Sequence, residues 1–393
     1  LIDGNRQTVI TSSPSLAVDP NNYTWEKVVT NNVGLDFGML GDRVSGTFDY
    51  FIRDTKGMLT DPVELPAVLG TSPPKQNAAD LRTKGFELSI GYRDQFGNAS
   101  NPVNFGIKAI LSDSRSHITS FQNENQLFSN YRVGQEIGEI WGLVNDGIME
   151  NEDQIAALDQ SSIVPWGAID VVPGWPKYKD LNGDGKIEQG QTAEDPKDLT
   201  LIGNTNARYR YGFNLDMSFS GFDLSVFLQG VGKRDYYPRH YLFWGPYQQP
   251  YANIYPWNLD YYRGAADNEA LMAQHSQSYI DAGLAEQNLD SKFPVLQAWL
   301  ADNNYGSGLD IAQTRYLQNA AYLRVKNITL GYTFPAPLLE KLKVSRIRLF
   351  VSGENIFEFS PIKKFIDPEA INDGFGWAYP FQRKFSFGVN IDL

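Results

Sequence analysis

The sequence predicts an all-β chain that contributes antiparallel strands to a transmembrane β-barrel with long loops at one end. Three observations predict this fold class. Apolar and polar residues alternate with a period of two in nine separate segments, and the connections between these segments alternate between short and long. Aromatic residues make up 13% of the 393 residues, yet no apolar run approaches the 18 or so residues of a membrane-spanning helix.

The segment from Arg208 to Phe219 shows the alternation most clearly. Tyrosine, phenylalanine, leucine and methionine occupy its odd positions, whereas arginine, asparagine, aspartate and serine occupy most even positions. Because successive side chains of a strand point to opposite faces, one face of this strand is apolar and the other is polar. The pattern resumes after Ser220-Gly221, which predicts a hairpin with a very short turn.

The same alternation predicts nine strands, at residues 31–40, 43–54, 83–93, 103–114, 207–219, 221–233, 320–334, 345–356 and 382–393. In the seventh strand the apolar positions change from odd to even numbers. A β-bulge near Lys326-Asn327 would produce this change of phase, because a bulge inserts one extra residue into a strand.

Short and long connections alternate along the chain, at residues 41–42, 55–82, 94–102, 115–206, 220, 234–319, 335–344 and 357–381. Outer-membrane barrels combine short periplasmic turns with long extracellular loops. If the last strand ends in the periplasm, every long connection lies outside the cell. Such barrels have even strand numbers, so residues 1–30 are expected to belong to an outer loop and the remaining strands to come from sequence outside this chain.

Composition excludes several other functions. A net charge of −12 and a pI near 4.8 argue against nucleic-acid binding, which requires a basic surface. The chain contains no cysteine, so thiolate catalysis is excluded, and its three histidines, His117, His240 and His275, are far apart in predicted loops. The sequence also lacks a Gly-x-Ser-x-Gly elbow and a His-Glu-x-x-His motif, so we do not expect an enzyme.

One segment carries the oxygen ligands of a metal-binding loop. Potential ligands stand at alternate positions, as in the first half of an EF-hand calcium loop: Asp180, Asn182, Asp184, the Lys186 carbonyl and Glu188. Position 12 of the motif holds Gln191 in place of the usual glutamate, and Glu194, Asp195 or Asp198 would have to complete the coordination. Two alternatives therefore stay open: a bound divalent cation such as Ca²⁺, or an Asn/Asp/Gly turn that folds without metal.

The long connection 234–319 is rich in tyrosine and tryptophan. Exposed aromatic rings could stack on sugars or hold peptide side chains, and the candidate substrate-binding residues are Tyr241, Trp244, Tyr247 and Trp257. The alternative is that these rings belong to an interfacial aromatic girdle and to packing between loops.

Several segments resemble the SusC/RagA family of TonB-dependent outer-membrane transporters. They occur in the family's order and run from Trp25-Glu26-Lys27 and Gly85-Phe86-Glu87-Leu88, through Asp180 to Ile187 and Asp198 to Gly203, to Ala320 to Pro335 and Ser352-Gly353-Glu354-Asn355. The resemblance implies that residues 1–393 are the C-terminal portion of a 22-stranded barrel. The plug domain and the N-terminal strands of such a transporter are absent from this chain.

The resemblance also implies a function. It implies active import of oligosaccharides or peptides across the outer membrane of a Gram-negative bacterium, in contact with outer-membrane lipid. TonB would drive this import through the missing N-terminal region, and a SusD-like surface lipoprotein would act as a lid. The polar strand faces are expected to line the aqueous interior, with charges at Arg208, Arg210, Asp216, Arg346, Arg348 and Glu354.

Two other functions share some of these features. A passive porin would show the same alternation but would need no plug domain. A soluble β-rich carbohydrate-binding protein would share the aromatic residues, but its apolar strand faces would pack against a second sheet.

Overall fold

The computed structural model describes residues 23–62, 73–98, 101–164, 171–248, 252–296, 308–340, 343–371, 379 and 381–392. The strands are β1 (Lys27–Met39), β2 (Val44–Thr60), β3 (Gln76–Asn98), β4 (Asn101–Ser120), β5 (Glu139–Leu143), β6 (Asn145–Ile148), β7 (Pro176–Tyr178), β8 (Leu199–Asn204), β9 (Arg208–Phe219), β10 (Phe222–Lys233), β11 (Asp235–Tyr236), β12 (Gln318–Asn319), β13 (Tyr322–Thr333), β14 (Arg346–Phe359) and β15 (Lys384–Asp392).

The helices are all short. The α-helices are α1 (Glu152–Ala157), α2 (Tyr241–Trp244), α3 (Glu269–Met272), α4 (Gln277–Asp281) and α5 (Ala336–Leu339), and two 3₁₀ turns lie at Gly245–Tyr247 and Pro256–Leu259. Within the described residues, none of these helices has the length and apolar character needed to cross a membrane.

Nine strands form one antiparallel sheet in the order β1-β2-β3-β4-β9-β10-β13-β14-β15. Each overlaps one of the nine strands predicted from the alternation, and sheet neighbours are also neighbours in chain order among these nine. The predicted antiparallel barrel fold is therefore confirmed, although the nine strands of this chain do not close into a ring. The terminal Leu393 and the first 22 residues of the predicted outer loop lie outside the described residues.

The hairpin turn and the bulge both occur where the sequence predicts them. Ser220 and Gly221 connect β9 to β10 with φ angles of +50° and +83°, as a two-residue type I′ turn requires. Val325 and Asn327 of β13 pair with the consecutive residues Leu228 and Phe227 of β10, so Lys326 is the extra residue of a bulge against that strand.

Five strands extend beyond their predicted boundaries on the side of the long connections, and this corrects those boundaries. There β1 begins at Lys27, β2 continues to Thr60, β3 begins at Gln76, β4 continues to Ser120 and β14 continues to Phe359. Backbone pairing persists there, for example between Leu81 and Ile118. The added residues are mostly polar on both faces, so the sequence shows no alternation there. Because β4 is longer, His117 lies in a strand and not in a loop.

One face of the sheet is a continuous apolar surface. A single row of directly paired side chains crosses six strands, formed by Phe105, Met217, Leu224, Leu330, Val351 and Phe387. Met217, Leu330 and Val351 are 42%, 45% and 50% exposed, and Phe387 is 71% exposed. Soluble proteins rarely leave so large an apolar surface uncovered, whereas a barrel presents it to hydrocarbon.

The main hydrophobic core lies in the long connections and not under the sheet. Its buried side chains include Trp175, Tyr178, Phe243, Phe293 and Tyr316, and it also contains Ile362 and Phe365 from the connection after β14. Three two-stranded sheets, β5-β8, β6-β7 and β11-β12, reinforce these connections. We call the described residues of the connections 121–207, 234–321 and 360–371 the loop body.

The polar face is held together by ion pairs that reach across strands. Arg348 of β14 binds Asp223 of β10, with its Nε 2.9 Å from one carboxylate oxygen, and the pair passes over Gly331 of β13. A Cβ added at Gly331 would lie 2.6 Å from Asp223 Oδ1 and would also meet the Arg348 guanidinium. Glycine at this position therefore makes the bridge possible.

Gly331→Ala is expected to lower the unfolding temperature of the full-length barrel, because the methyl group would displace the bridge at a cost of about 1–3 kcal/mol. Heat-dependent mobility on SDS gels measures this change. The matched control is Gly106→Ala on β4, where an added Cβ meets no atom within 4 Å. Equal unfolding temperatures for the two variants would contradict the proposed role of Gly331.

Candidate functional site: the polar face and the loop body

The polar face carries most of the charged residues that the sequence places there. Asp216 is paired with Ser225, and Arg346 forms an ion pair with Asp392 at 3.8 Å. Arg210 belongs to the same face, as do Arg348 and Glu354. A single Arg or Lys at the lipid midplane costs about 2–4 kcal/mol, so this concentration of charge on one face identifies it as the water-facing side.

Arg208 was expected among these water-facing charges, and the structure corrects this expectation. Its side chain is nearly buried and binds Asp113 of β4, with the Nε–Oδ1 distance at 2.5 Å, and Glu136 of the loop body lies 3.8 Å away. The neighbouring Tyr209 has a φ angle of +53°, which interrupts the regular alternation at the start of β9. Arg208 therefore joins the sheet to the loop body instead of lining the interior.

A cavity of about 650 Å³ lies on the polar face beside the loop body. Strands β2, β3, β4, β9, β10 and β13 contribute to its lining, and Pro368 and Glu369 of the connection after β14 border it from the loop side. The cavity therefore lies where the barrel interior meets the outer loops.

Arg324 of β13 is the centre of an ion-pair cluster that attaches this connection to the sheet. Its side chain is 1% exposed, and its guanidinium lies 2.5 Å from Glu358, 2.7 Å from Asp367 and 2.9 Å from Glu369. Lys326 also contacts Glu369, at 2.7 Å. Buried charges are tolerated only when they are paired, so the cluster fixes the connection against the cavity.

Arg324→Met is expected to release the connection 360–371, because three largely buried carboxylates lose their shared partner. Removing one partner of a buried ion pair costs about 3–5 kcal/mol. Hydrogen exchange of the full-length protein should show faster exchange in these residues. Arg43→Met is the matched control, since its pair with Asp94 is exposed and should matter little. Unchanged protection in the Arg324 variant would show that the cluster does not hold the connection.

The aromatic residues of the connection 234–319 are divided between core and surface. Trp244 and Tyr247 are each 1% exposed and pack against Phe293 in the loop body. Their prediction as exposed rings is therefore wrong, because distant residues of the same connection cover them. Tyr241, with 36% of its surface exposed, and the partly buried Trp257 retain accessible ring surface.

His240, at the start of α2, is also buried in the loop body. Neither ring nitrogen has a hydrogen-bond partner among the described residues, and burial lowers the pKa of the imidazole to about 4. The ring is therefore neutral at neutral pH and stacks beside Tyr236. His117 and His275 each lie near a carboxylate instead, Glu136 and Asp267 respectively.

The predicted metal loop is closed by hydrogen bonds to its own backbone. Asp180 accepts hydrogen bonds from the amides of Gly183 and Gly185, at 2.6 and 2.8 Å, and these bonds hold the pKa of its carboxyl below the usual range. Asp184 accepts one from the Lys186 amide at 2.9 Å. The buried Ile187 anchors the loop in the core of the loop body.

The donor set fits a calcium ion in type and order but not in number. Both carboxylate oxygens of Asp198 accept hydrogen bonds, one from the Leu181 amide and one from the Glu188 amide, at 2.7 Å each. Asp198 therefore supports the loop backbone. In the described part of the chain, no three acidic, histidine or cysteine side chains converge as a metal cluster. Asp180, Asn182 and Asp184 would have to supply the side-chain oxygens, with water completing the shell.

Comparison with known proteins finds one matching family, described as "TonB dependent receptor-like, beta-barrel", over residues 4–139. The TonB-dependent receptor P3 of Formosa agariphila is 25% identical over 94% of this chain and 34% of its own length. The TonB-dependent receptor SusC of Bacteroides thetaiotaomicron is 24% identical over 95% of this chain and 32% of its own length. The chain thus spans about a third of the length of these relatives.

The fold has a counterpart among solved structures. The RagAB peptide transporter matches 96% of this chain and 36% of its own chain, with a TM-score of 0.67 at 20% identity. The family consists of receptors and transporters and not of enzymes. The sheet, the resemblance of the segments and these comparisons agree that this chain is similar to the β-barrel of the TonB-dependent receptors, with SusC and RagAB among the proteins that it resembles.

Proposed function

We propose that this chain is the C-terminal part of an outer-membrane importer that takes up nutrient oligosaccharides or peptides. The observation that carries the proposal is the two-faced sheet, apolar and exposed on one side and charged on the other. A bilayer on one side and an aqueous channel on the other would satisfy both faces. TonB-dependent receptors are outer-membrane proteins of Gram-negative bacteria, which supports the same location.

The loop body would capture the substrate together with a SusD-like lipoprotein. Its core is buried and rich in aromatic contacts, so it can present a defined surface to a partner. The accessible rings of Tyr241 and Trp257 are the aromatic surfaces that we propose for contact with sugar rings or peptide side chains. From there the substrate would enter the cavity beside the connection after β14. One solved structure with a similar fold is described as the RagAB peptide importer, which supports this route.

The two alternative functions are less well supported. A soluble carbohydrate-binding protein would cover the apolar row with a second sheet, whereas Phe387 and Val351 of this row are at least half exposed. A passive porin shares the two-faced sheet but does not need an energy source. Dependence on TonB therefore separates it from the importer that we propose.

A strain that lacks the full-length gene is expected to lose growth on the imported nutrient, tested on a panel of oligosaccharides and peptides. Deleting TonB should cause the same loss, because the importer draws its energy from the inner membrane. Growth on glucose is the control and should not change. Growth that depends on the gene but not on TonB would identify a passive channel and overturn the proposal.

We further propose that Ca²⁺ binds the loop from Asp180 to Glu188. The negative carboxylate of Asp180, the alternate spacing of the oxygens and the exposure of the loop support this proposal. The ion would stiffen one edge of the loop body and would take no part in a chemical step.

Calcium is expected to slow hydrogen exchange of residues 180–188 in the full-length protein. At a hundred times the Kd, binding stabilises the loop by about 2.7 kcal/mol. Asp184→Asn should weaken this response, while Glu269→Gln, which changes an exposed acid of α3, should leave it intact. Exchange that is the same in calcium and in chelator would show that the loop folds without metal.

A further inference from the structure

The cavity on the polar face contains a row of side chains that runs perpendicular to the strands. Asp49 of β2 is directly paired with Glu87 of β3, Glu87 with Ser112 of β4, and Ser112 with Arg210 of β9. All four side chains line the cavity. Neighbouring strands lie about 4.8 Å apart, so Arg210 is about 10 Å from Glu87 and about 14 Å from Asp49 along this row.

No described residue forms an ion pair with the acidic end of the row. Asp49 and Glu87 are like charges directly opposite each other, an arrangement that destabilises a sheet. The Asp49 side chain leans over Gly34, and its polar contact is with Asn32 at 3.4 Å. Glu87 is exposed and forms no ion pair with any described residue. A positively charged group in the cavity would relieve this repulsion.

The basic end of the row is also open. Arg210 is exposed and has no ion-pair partner in the described ranges of the chain. Arg234, which follows β10, borders the same cavity, and burial together with the nearby charge of Arg210 lowers its pKa. The third acid of the cavity lining, Glu369, is already bound by Arg324 and Lys326. A negatively charged group would therefore find the Arg210 guanidinium without an ion-pair partner among the described residues.

We propose that the cavity binds short peptides with free termini, the ammonium group at Asp49 and Glu87 and the carboxylate at Arg210. An extended chain spans about 3.3–3.6 Å per residue, so peptides of three or four residues match the separation of the two ends. A neutral oligosaccharide would leave both ends of the row uncompensated. This inference rests on the proposed import function and selects peptides from its two substrate classes.

Binding of tetraalanine to the purified full-length receptor tests the proposal by calorimetry. The unmodified peptide is compared with its N-acetylated form, its C-terminal amide and the neutral sugar maltotetraose. Each cap is expected to weaken binding about tenfold, because it removes one charge-assisted hydrogen bond. Maltotetraose should not bind at this cavity.

Two substitutions assign the ends. Arg210→Gln should weaken binding of tetraalanine about tenfold and leave binding of its C-terminal amide unchanged. Glu87→Gln should weaken binding of tetraalanine and of the amide, and leave binding of the N-acetylated peptide unchanged. Lys108→Gln is the matched control, since Lys108 is an exposed cation of the same face four residues from the row. Its affinity for every ligand should equal that of the parent protein. Heat-dependent gel mobility verifies that all variants are folded.

Several results would overturn the inference. Equal affinities for free and capped tetraalanine, or binding of maltotetraose alone, would remove the role of the two charged ends while leaving the import function intact. If Glu87 and Arg210 pair with the plug domain instead, their substitution will lower the unfolding temperature without distinguishing the peptides. Conversely, the expected binding pattern without TonB-dependent growth would reject the importer and keep the peptide site.

Discussion

The structure depends on a strict separation of apolar and polar side chains between the two faces of each strand. A β-strand places successive residues on opposite faces, so a period of two is sufficient to build one surface for hydrocarbon and another for water. Nine strands keep this pattern in register, as the directly paired Met217, Leu224 and Leu330 illustrate. A slip of one residue in any strand would expose charge to lipid, so the phase of each strand is under strong constraint.

The second organising feature is the way in which charge connects the loop body to the sheet. The loop body has its own aromatic core, and ion pairs at Arg208 and Arg324 attach it to the outer ends of β9 and β13. Such pairs are weak sources of net stability, but they specify geometry because a misplaced partner leaves a buried charge. They therefore position the connection after β14 against the cavity in which the proposed substrate route begins.

The sequence predicts the strands well because their signal is local. Each alternation is contained in about ten residues, and even the bulge at Lys326 shows as a change of phase. Where strands leave the apolar region, as β4 does at His117, pairing depends on backbone hydrogen bonds and leaves no pattern in the side chains.

The candidate site was less predictable because its contacts are remote in the chain. Trp244 is covered by Tyr316 and Phe293, and Arg324 meets Asp367 across 43 residues, so neither environment follows from local spacing. The row from Asp49 to Arg210 likewise appears only when the register of four strands is known.

Spin labels on two adjacent residues of β9 test the central claim most directly. The full-length protein is studied in a lipid bilayer as two variants, Leu215→Cys and Asp216→Cys, which carry their single labels on opposite faces of the strand. This chain contributes no cysteine of its own, so no other position in it is labelled. The label at position 215 should be more accessible to oxygen, which concentrates in hydrocarbon. The label at position 216 should be more accessible to a water-soluble nickel complex. Equal accessibility at both positions, or the reverse order, would contradict the assignment of the two faces.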